Sequence, residues 1–384
     1  DVVIVGAGLV GASLALALGE ADLRVAVVEP HARGAELPDS AWDSRVYALS
    51  PGNAQWLHEL GIWPQLPKER VQRVERMRIF GDRTPAKIEF SAYDAGLREL
   101  AWIVENRRLQ GALRNALESA PHVTLVSPVH CAGVVWAREG ATLMLSDGEV
   151  LEARLIVGAD GAESWVRAQM GVASSMHDYP QVGVVANFAT ERAHDGTAFQ
   201  WFRPDGVLAL LPLPGNRVSM VWSAVETRAR ELLAAPEAVL GSEVEDASYG
   251  TLGALSMITP AVGFPLHRQR VERLVEPRAA LVGDAAHNVH PLAGQGVNLG
   301  FRDARELAAV LRGRGPCDCG DYALLRRYER ARREDIAALD LTTHGLEKLF
   351  SSRAVWITGL RNWGLTLVDT QPLLKNALLR HAAA

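Results

Sequence analysis

Three hundred and eighty-four residues exceed one ordinary compact core, so two closely packed lobes are expected. Hydrophobic residues make up 48% and charged residues 22%, a balance that excludes a disordered chain. Forty basic against 45 acidic residues leave a net charge of −5, which argues against nucleic acid as a partner. Three cysteines are too few for a disulfide framework and fit a reducing compartment.

In chain order, residues 2–5 read as a short buried strand, 6–11 as a glycine turn, 12–18 as a helix and 24–28 as a second strand ending at Glu29. Residues 2–19 carry no charge, yet Glu20 and Asp22 close them and glycines interrupt them, so no spanning helix is expected. Ser50-Pro51 marks a helix start that should end at Gly61. Residues 106–119 pattern as an amphipathic helix, and 123–126, 133–136, 141–145 and 154–157 as strands. From Tyr179 to Ser223, short β-rich runs (182–190, 198–202, 207–212, 217–223) alternate with turn signals such as Pro204-Asp205-Gly206, the pattern of an antiparallel sheet in a second lobe. Residues 279–282 return to a buried strand. Beyond Gly294 the pattern is helical, with a break near residues 313–320. Cys317-x-Cys319 lacks further ligands at metal spacing and reads as a loop feature. No signal peptide, internal repeat or low-complexity tract is evident.

Three motifs carry chemistry. The first, Gly6-Ala7-Gly8-Leu9-Val10-Gly11, sits between strand and helix, with Glu29 closing the next strand. Glycines allow the backbone to approach a pyrophosphate, the helix start supplies N–H groups, and the carboxylate can accept from ribose hydroxyls. This predicts a dinucleotide site without choosing between FAD and NAD. The second runs from Leu281-Val282-Gly283-Asp284-Ala285-Ala286-His287 through Pro291 and Gly294-Gln295-Gly296-Val297-Asn298 into a helix. A carboxylate at a strand end can bind a sugar-alcohol chain, and a glycine-rich helix start can face an electron-accepting ring. A nicotinamide-binding Rossmann domain needs neither, so the pair favours FAD. The third is Asp160-Gly161, a tight turn after a strand, with Ser164 and Arg167 in the helix that follows.

Together these residues resemble the FAD-dependent aromatic hydroxylases, the single-component flavoprotein monooxygenases. Within that family the chain is most similar to the ubiquinone-biosynthesis hydroxylases, the octaprenylphenol hydroxylase group. That finer likeness rests on Asp43-Ser44-Arg45-Val46-Tyr47-Ala48-Leu49, Ile103-Val104-Glu105-Asn106, Ala209-Leu210-Leu211-Pro212-Leu213 with Val221-Trp222, Phe264-Pro265-Leu266 and Leu325-Arg326-Arg327-Tyr328-Glu329-Arg330.

The resemblance implies an α/β fold of the p-hydroxybenzoate hydroxylase-like kind. A Rossmann-like FAD-binding domain (residues 1–75, 101–175 and 265–330) would carry an inserted antiparallel β-sheet substrate domain (76–100 and 176–264) and C-terminal helices (331–384). It also implies roles. Gly6, Gly8 and Gly11 would hold the FAD pyrophosphate and Glu29 the adenosine ribose. Arg45 would lie near the pyrophosphate or flavin, or else pair with Asp43. Gln110 would touch the cofactor and Val129 the adenine. Asp160 would stand where flavin and nicotinamide cofactor meet. Asp284 would bind ribitol phosphate, and Gly294, Gln295, Gly296, Val297 and Asn298 the flavin ring, with His290 and Pro291 nearby. Asp284, His287 and His290 could alternatively be read as metal ligands; their place inside a flavin motif argues for no metal, with the histidines orienting the loop. No general base stands out.

The implied cycle is reduction of FAD by NADPH or NADH, addition of O2 to give a flavin hydroperoxide, and oxygen transfer to a prenylated phenol or quinol. Competing readings are a related flavoenzyme on another aromatic substrate and an FAD-bound, non-catalytic subunit of a ubiquinone-biosynthesis complex. A cytoplasmic location is expected, with peripheral contact on the inner membrane face. Leu346, Leu349 and Phe350, then Trp356, Leu360, Trp363 and Leu367, recur at helical spacing among Lys348, Arg353, Arg361, Lys375 and Arg380. That pattern suits either an interfacial helix or docking on the flavin lobe.

Overall fold

The computed structural model describes residues 1–34, 38, 40–81, 87–288 and 296–351, with side chains described through residue 337. The C-terminal stripe from Leu346 to Leu367 falls beyond those side chains.

Two lobes share one seam. The first is built on a six-stranded sheet in the order Val275–Glu276, Ala279–Leu281, Leu155–Gly158, Val2–Val5, Val25–Val28, Val123–Val126. Its pairs are parallel except at the Val275–Glu276 edge. Parallel strands are covered on both faces, which is why Val2–Val5 and Leu155–Gly158 are apolar and fully buried. The helix Leu9–Gly19 crosses from the first strand to the second and packs on the helices Asn106–Ser119 and Gly296–Arg312. In Asn106–Ser119 the apolar positions Leu109, Ala112, Leu113 and Leu117 form the single buried stripe.

The second lobe is a nine-stranded sheet, antiparallel except where Thr197–Arg203 runs parallel to Arg76–Phe80. Alternation sorts its two faces. Val184, Ala186, Phe188, Leu208, Leu210, Met220 and Trp222 are buried beneath the helices Glu226–Ala234 and Glu237–Ala247. Val185, Val207, Ala209 and Val221 point the other way, toward the first lobe, and are only partly buried. This sheet is a roof with one dry face and one open face.

At the seam a three-stranded sheet (Val46–Leu49, Ala101–Glu105, Val71–Val74) lies between the lobes. The Asn187 side-chain amide of the roof donates to the Asp43 carbonyl at 2.8 Å. The two-residue strand His287–Asn288, contributed by the first lobe, pairs with the roof strand Val262–Val271.

The roof is larger than the alternation in sequence indicates. The strand expected from residue 182 begins at Ser174, because its polar, exposed first half extends as a ribbon against Val262–Val271. That partner strand runs through residue 265, where the sequence placed a domain boundary. The helices between Glu226 and Ala247 were not anticipated. Among the described residues, no helix is long and apolar enough to cross a membrane.

Candidate functional site: a cleft between glycine turn, carboxylate and roof

The first-strand turn is shaped to receive a ligand on one side only. A Cβ on Gly6 would lie 2.4 Å from the Ala159 carbonyl oxygen, and one on Gly11 2.1 Å from the Gly6 oxygen. The position of a Gly8 Cβ has no neighbour within 4 Å. Gly6 and Gly11 are thus required for packing of turn, helix and sheet, and Gly8 leaves its side of the turn open. Gly8 is also the N-cap of Leu9–Gly19 and has no side chain to occupy the first-turn N–H groups, so this end suits an anion. Glu29 accepts the Ala7 N–H at 2.7 Å and both the N–H and Nδ1 of His31, at 3.0 and 2.9 Å. The Val129 N–H donates to the Glu29 carbonyl at 3.0 Å, and Val129 itself is buried. Gln110 lies exposed on its helix, beside buried Leu109. Open cradle, helix start and carboxylate together fit the diphosphate and ribose of a dinucleotide.

Asp284 follows the strand Ala279–Leu281 in the turn Gly283–Ala285. Asp284 keeps exposed surface although protein crowds around it. Burial raises its pKa above the ordinary carboxylate value, while the charges of His287, Arg45 and His267 act against that rise. No hydrogen bond reaches Asp284 among the described residues.

Arg45 enters the cleft from the seam. Its backbone N–H, not its guanidinium, meets Asp43, at 3.1 Å from Oδ1. The guanidinium lies 5.4 Å from the Tyr47 ring centre and 5.5 Å from that of Phe264 on the roof. Cation–π contacts therefore span the two lobes. The segment is held rigidly from below. Glu105, with no exposed surface, pairs with Arg70 at 2.8 Å and accepts the Asp43 N–H at 2.7 Å. Asp43 also takes the Arg107 N–H at 3.0 Å.

Asp160 has a structural commitment: it accepts from the Ser164 hydroxyl at 2.5 Å and from the Val166 N–H at 3.0 Å. It thereby braces Ser164, the N-cap of the helix Trp165–Gln169, and Arg167 in that helix donates to the Ala285 carbonyl at 2.9 Å, beside Asp284. The third motif thus fixes the second.

Asn298 sits in the first turn of Gly296–Arg312 with its side chain turned into protein. It accepts from the Ser50 N–H (2.8 Å) and the Asn53 amide (2.9 Å) and donates to the Ala48 carbonyl (2.8 Å). It locks the helix start to the seam, and its own carbonyl accepts from the Asn53 amide at 3.1 Å. Gly296 and Val297 open the same helix, and a Cβ on Gly296 would meet nothing within 4 Å. His290, Pro291, Gly294 and Gln295 lie outside the described residues.

The residue that sequence reading missed is Asp303. Fully buried, it accepts from the Gly283 N–H (2.9 Å), His287 Nε2 (2.6 Å) and Arg332 Nε (2.7 Å). Burial alone would raise its pKa; His287 and Arg332 outweigh burial and hold it below the ordinary range. His287 is thereby an orienting group for the Asp284 turn, with Nε2 engaged. Among the described residues no cluster of three or more metal-ligating side chains occurs. The Arg-Arg-Tyr-Glu-Arg run serves the same end: Tyr328 donates to the Leu281 carbonyl and Glu329 accepts the Leu274 N–H, each at 2.8 Å. The one signal in sequence for Asp303 is an acid set among Leu299, Phe301, Ala304, Leu307 and Leu311, the apolar positions of its helix.

The FAD binding domain family matches residues 1–340. The chain is 36% identical over 384 residues to ubiquinone hydroxylase UbiL of Rhodospirillum rubrum, covering 100% of this chain and 89% of that one. It is 36% identical over 390 residues to 3-demethoxyubiquinol 3-hydroxylase of Escherichia coli, covering 100% and 98%. Among solved structures, Pseudomonas aeruginosa PqsL in complex with 2-aminobenzoylacetate superposes with a TM-score of 0.80 at 25% identity, covering 95% of this chain and 99% of that one. The chain belongs to the FAD binding domain family and is one of its FAD-dependent monooxygenases.

Proposed function

We propose that this enzyme hydroxylates the aromatic ring of a prenylated phenol or quinol in ubiquinone biosynthesis, using NAD(P)H and O2. The observation that carries the reading is the full-length similarity to 3-demethoxyubiquinol 3-hydroxylase, at 36% identity. The glycine turn and Glu29 would hold the adenosine diphosphate half, and Asp284 the ribitol chain. The start of Gly296–Arg312 would face the ring.

Bound FAD supplies electron transfer from NAD(P)H and activation of O2. The chain's own contribution is positional. Asn298 and Asp303 fix the two segments that face the flavin, and the Glu105–Arg70 pair fixes the approach of Arg45. The roof's open face, with Val185, Val207, Ala209 and Val221, offers an apolar surface above the cleft that suits a prenyl tail and excludes water from the ring. The test is NAD(P)H oxidation by FAD-loaded protein with a prenylated phenol under 18O2. Stimulated oxidation with 18O in the product is expected; stimulation without labelled product would overturn the reading.

Peripheral membrane contact belongs to the same proposal, since the substrate resides in lipid. It is supported by the aromatic and basic pattern of residues 346–380. Salt-sensitive sedimentation with anionic vesicles should weaken after truncation beyond Phe350; equal sedimentation of the two forms removes this contact.

A further inference from the structure

Gln269 lies in the roof strand Val262–Val271 and is 1% exposed, yet neither its amide nitrogen nor its amide oxygen has a hydrogen-bond partner. Among the described residues it is the one amide side chain with both polar atoms orphaned. A primary amide brings two donors and two acceptor sites, and burying all of them unpaired is costly, so such a group implies a partner that arrives from outside the chain.

Its place indicates which partner. Side chains alternate along a strand, so Gln269 shares a face with His267 and Val271. Val271 packs on the core of the nucleotide lobe, and the charge of His267 is felt at Asp284. Backbone pairing sets Gln269 opposite Asn288, in the strand that follows the Asp284 turn. The orphan amide therefore faces the nucleotide lobe at the seam where roof and flavin segment join, away from solvent.

We propose that Gln269 is a cofactor-binding residue whose amide donates to and accepts from bound FAD. The pyrimidine portion of a flavin carries an N–H flanked by carbonyls, and the ribitol chain carries hydroxyls; either matches a group that must both give and take. The inference rests on the FAD assignment and extends it to the roof, which then holds the cofactor as well as covering it.

The experiment compares wild type with Gln269→Leu, measuring the FAD dissociation constant of the apoprotein, the visible spectrum of the reconstituted flavin and the melting temperature of the apoprotein. Replacing an orphan amide with an apolar group of similar size relieves the apoprotein but deprives the cofactor. The expected result is about tenfold weaker FAD binding with an altered flavin spectrum, at an unchanged or raised apo melting temperature. FAD affinity within about twofold of wild type overturns the proposal, as does a lowered apo melting temperature, because the amide then has a partner in the protein. Gln269→Met, which matches the length of the side chain, is the second variant should Leu not fit, and is read the same way. No substrate enters these measurements, so their failure leaves the hydroxylase reading untouched.

Discussion

Asp303 takes three hydrogen bonds in a site with no exposed surface, while Asp284, nearby in the same region, takes none among the described residues and is exposed. Their pKa values move apart accordingly: Asp303 is held low by His287 and Arg332 against its burial, and Asp284 is raised by burial. One carboxylate is finished by the fold, and the other has no hydrogen bond from the protein among the described residues. The difference shows how a site is divided between groups that make the geometry and groups that use it, and it separates them without reference to motif membership. Asp284 lies in the recognisable motif; Asp303, which holds that motif in place, is inconspicuous in sequence.

The contrast breaks most visibly at Asp303. Asp303→Ala leaves Arg332 and His287 buried without their partner, and removing one member of a buried ion pair costs about 3–5 kcal/mol. Equilibrium denaturation of the apoprotein should show a loss of that size. A loss below about 1 kcal/mol would place Asp303 with the exposed pairs instead.

Asp284→Ala should do the reverse. Loss of a charge-assisted hydrogen bond from the bound cofactor costs about 1.5–3 kcal/mol, so FAD affinity should fall roughly ten- to a hundredfold while the apoprotein melts as before. FAD titration followed by flavin fluorescence measures it. An apoprotein that melts lower, with FAD binding intact, would reverse the assignment of the two aspartates.

The smallest expected effect is the pH dependence. Because the Asp303 pKa is depressed, its contribution to stability is fully present above the unfolded value of 3.8 and is lost as pH falls through the lower folded value. Because the Asp284 pKa is raised above 3.8, a ligand that donates hydrogen bonds to the ionised form should bind more tightly as pH rises through that raised value. Apparent FAD affinity should therefore climb with pH over that window in wild type and stay flat there in Asp284→Asn. An equal slope in both proteins would take the effect away from Asp284.

Much of this arrangement was legible because its signals are local. The Gly6–Gly11 turn, the acid at Glu29 and the Asp284 turn are each written within a few residues by strand, glycine and helix patterning, and the helix Asn106–Ser119 is announced by its own apolar stripe. What stayed hidden depends on partners distant in sequence. Asp303 meets Arg332 across 29 positions, Arg70 meets Glu105 across 35, and Asn187 reaches Asp43 across 144. Nothing in a buried acid's neighbours along the chain tells which distant cation will neutralise it. The early, polar half of Ser174–Thr190 was missed for a related reason: both faces of that ribbon are largely exposed, so it lacks the alternation by which a half-buried strand is recognised.

The pairing of His287–Asn288 with Val262–Val271 has a mechanical consequence. Two lobes joined by a free hinge can tilt without disturbing what lies on either side of it. Here the segment that continues from the Asp284 turn is stitched by backbone hydrogen bonds into the roof, and Arg45 bridges the same gap to Phe264. A push on the roof from beneath, as a bulky substrate would exert, is delivered directly to the stretch of chain that carries Asp284 and His287. Roof and Asp284 turn are thus tied through a few shared strand residues, like load and anchor on one short cable.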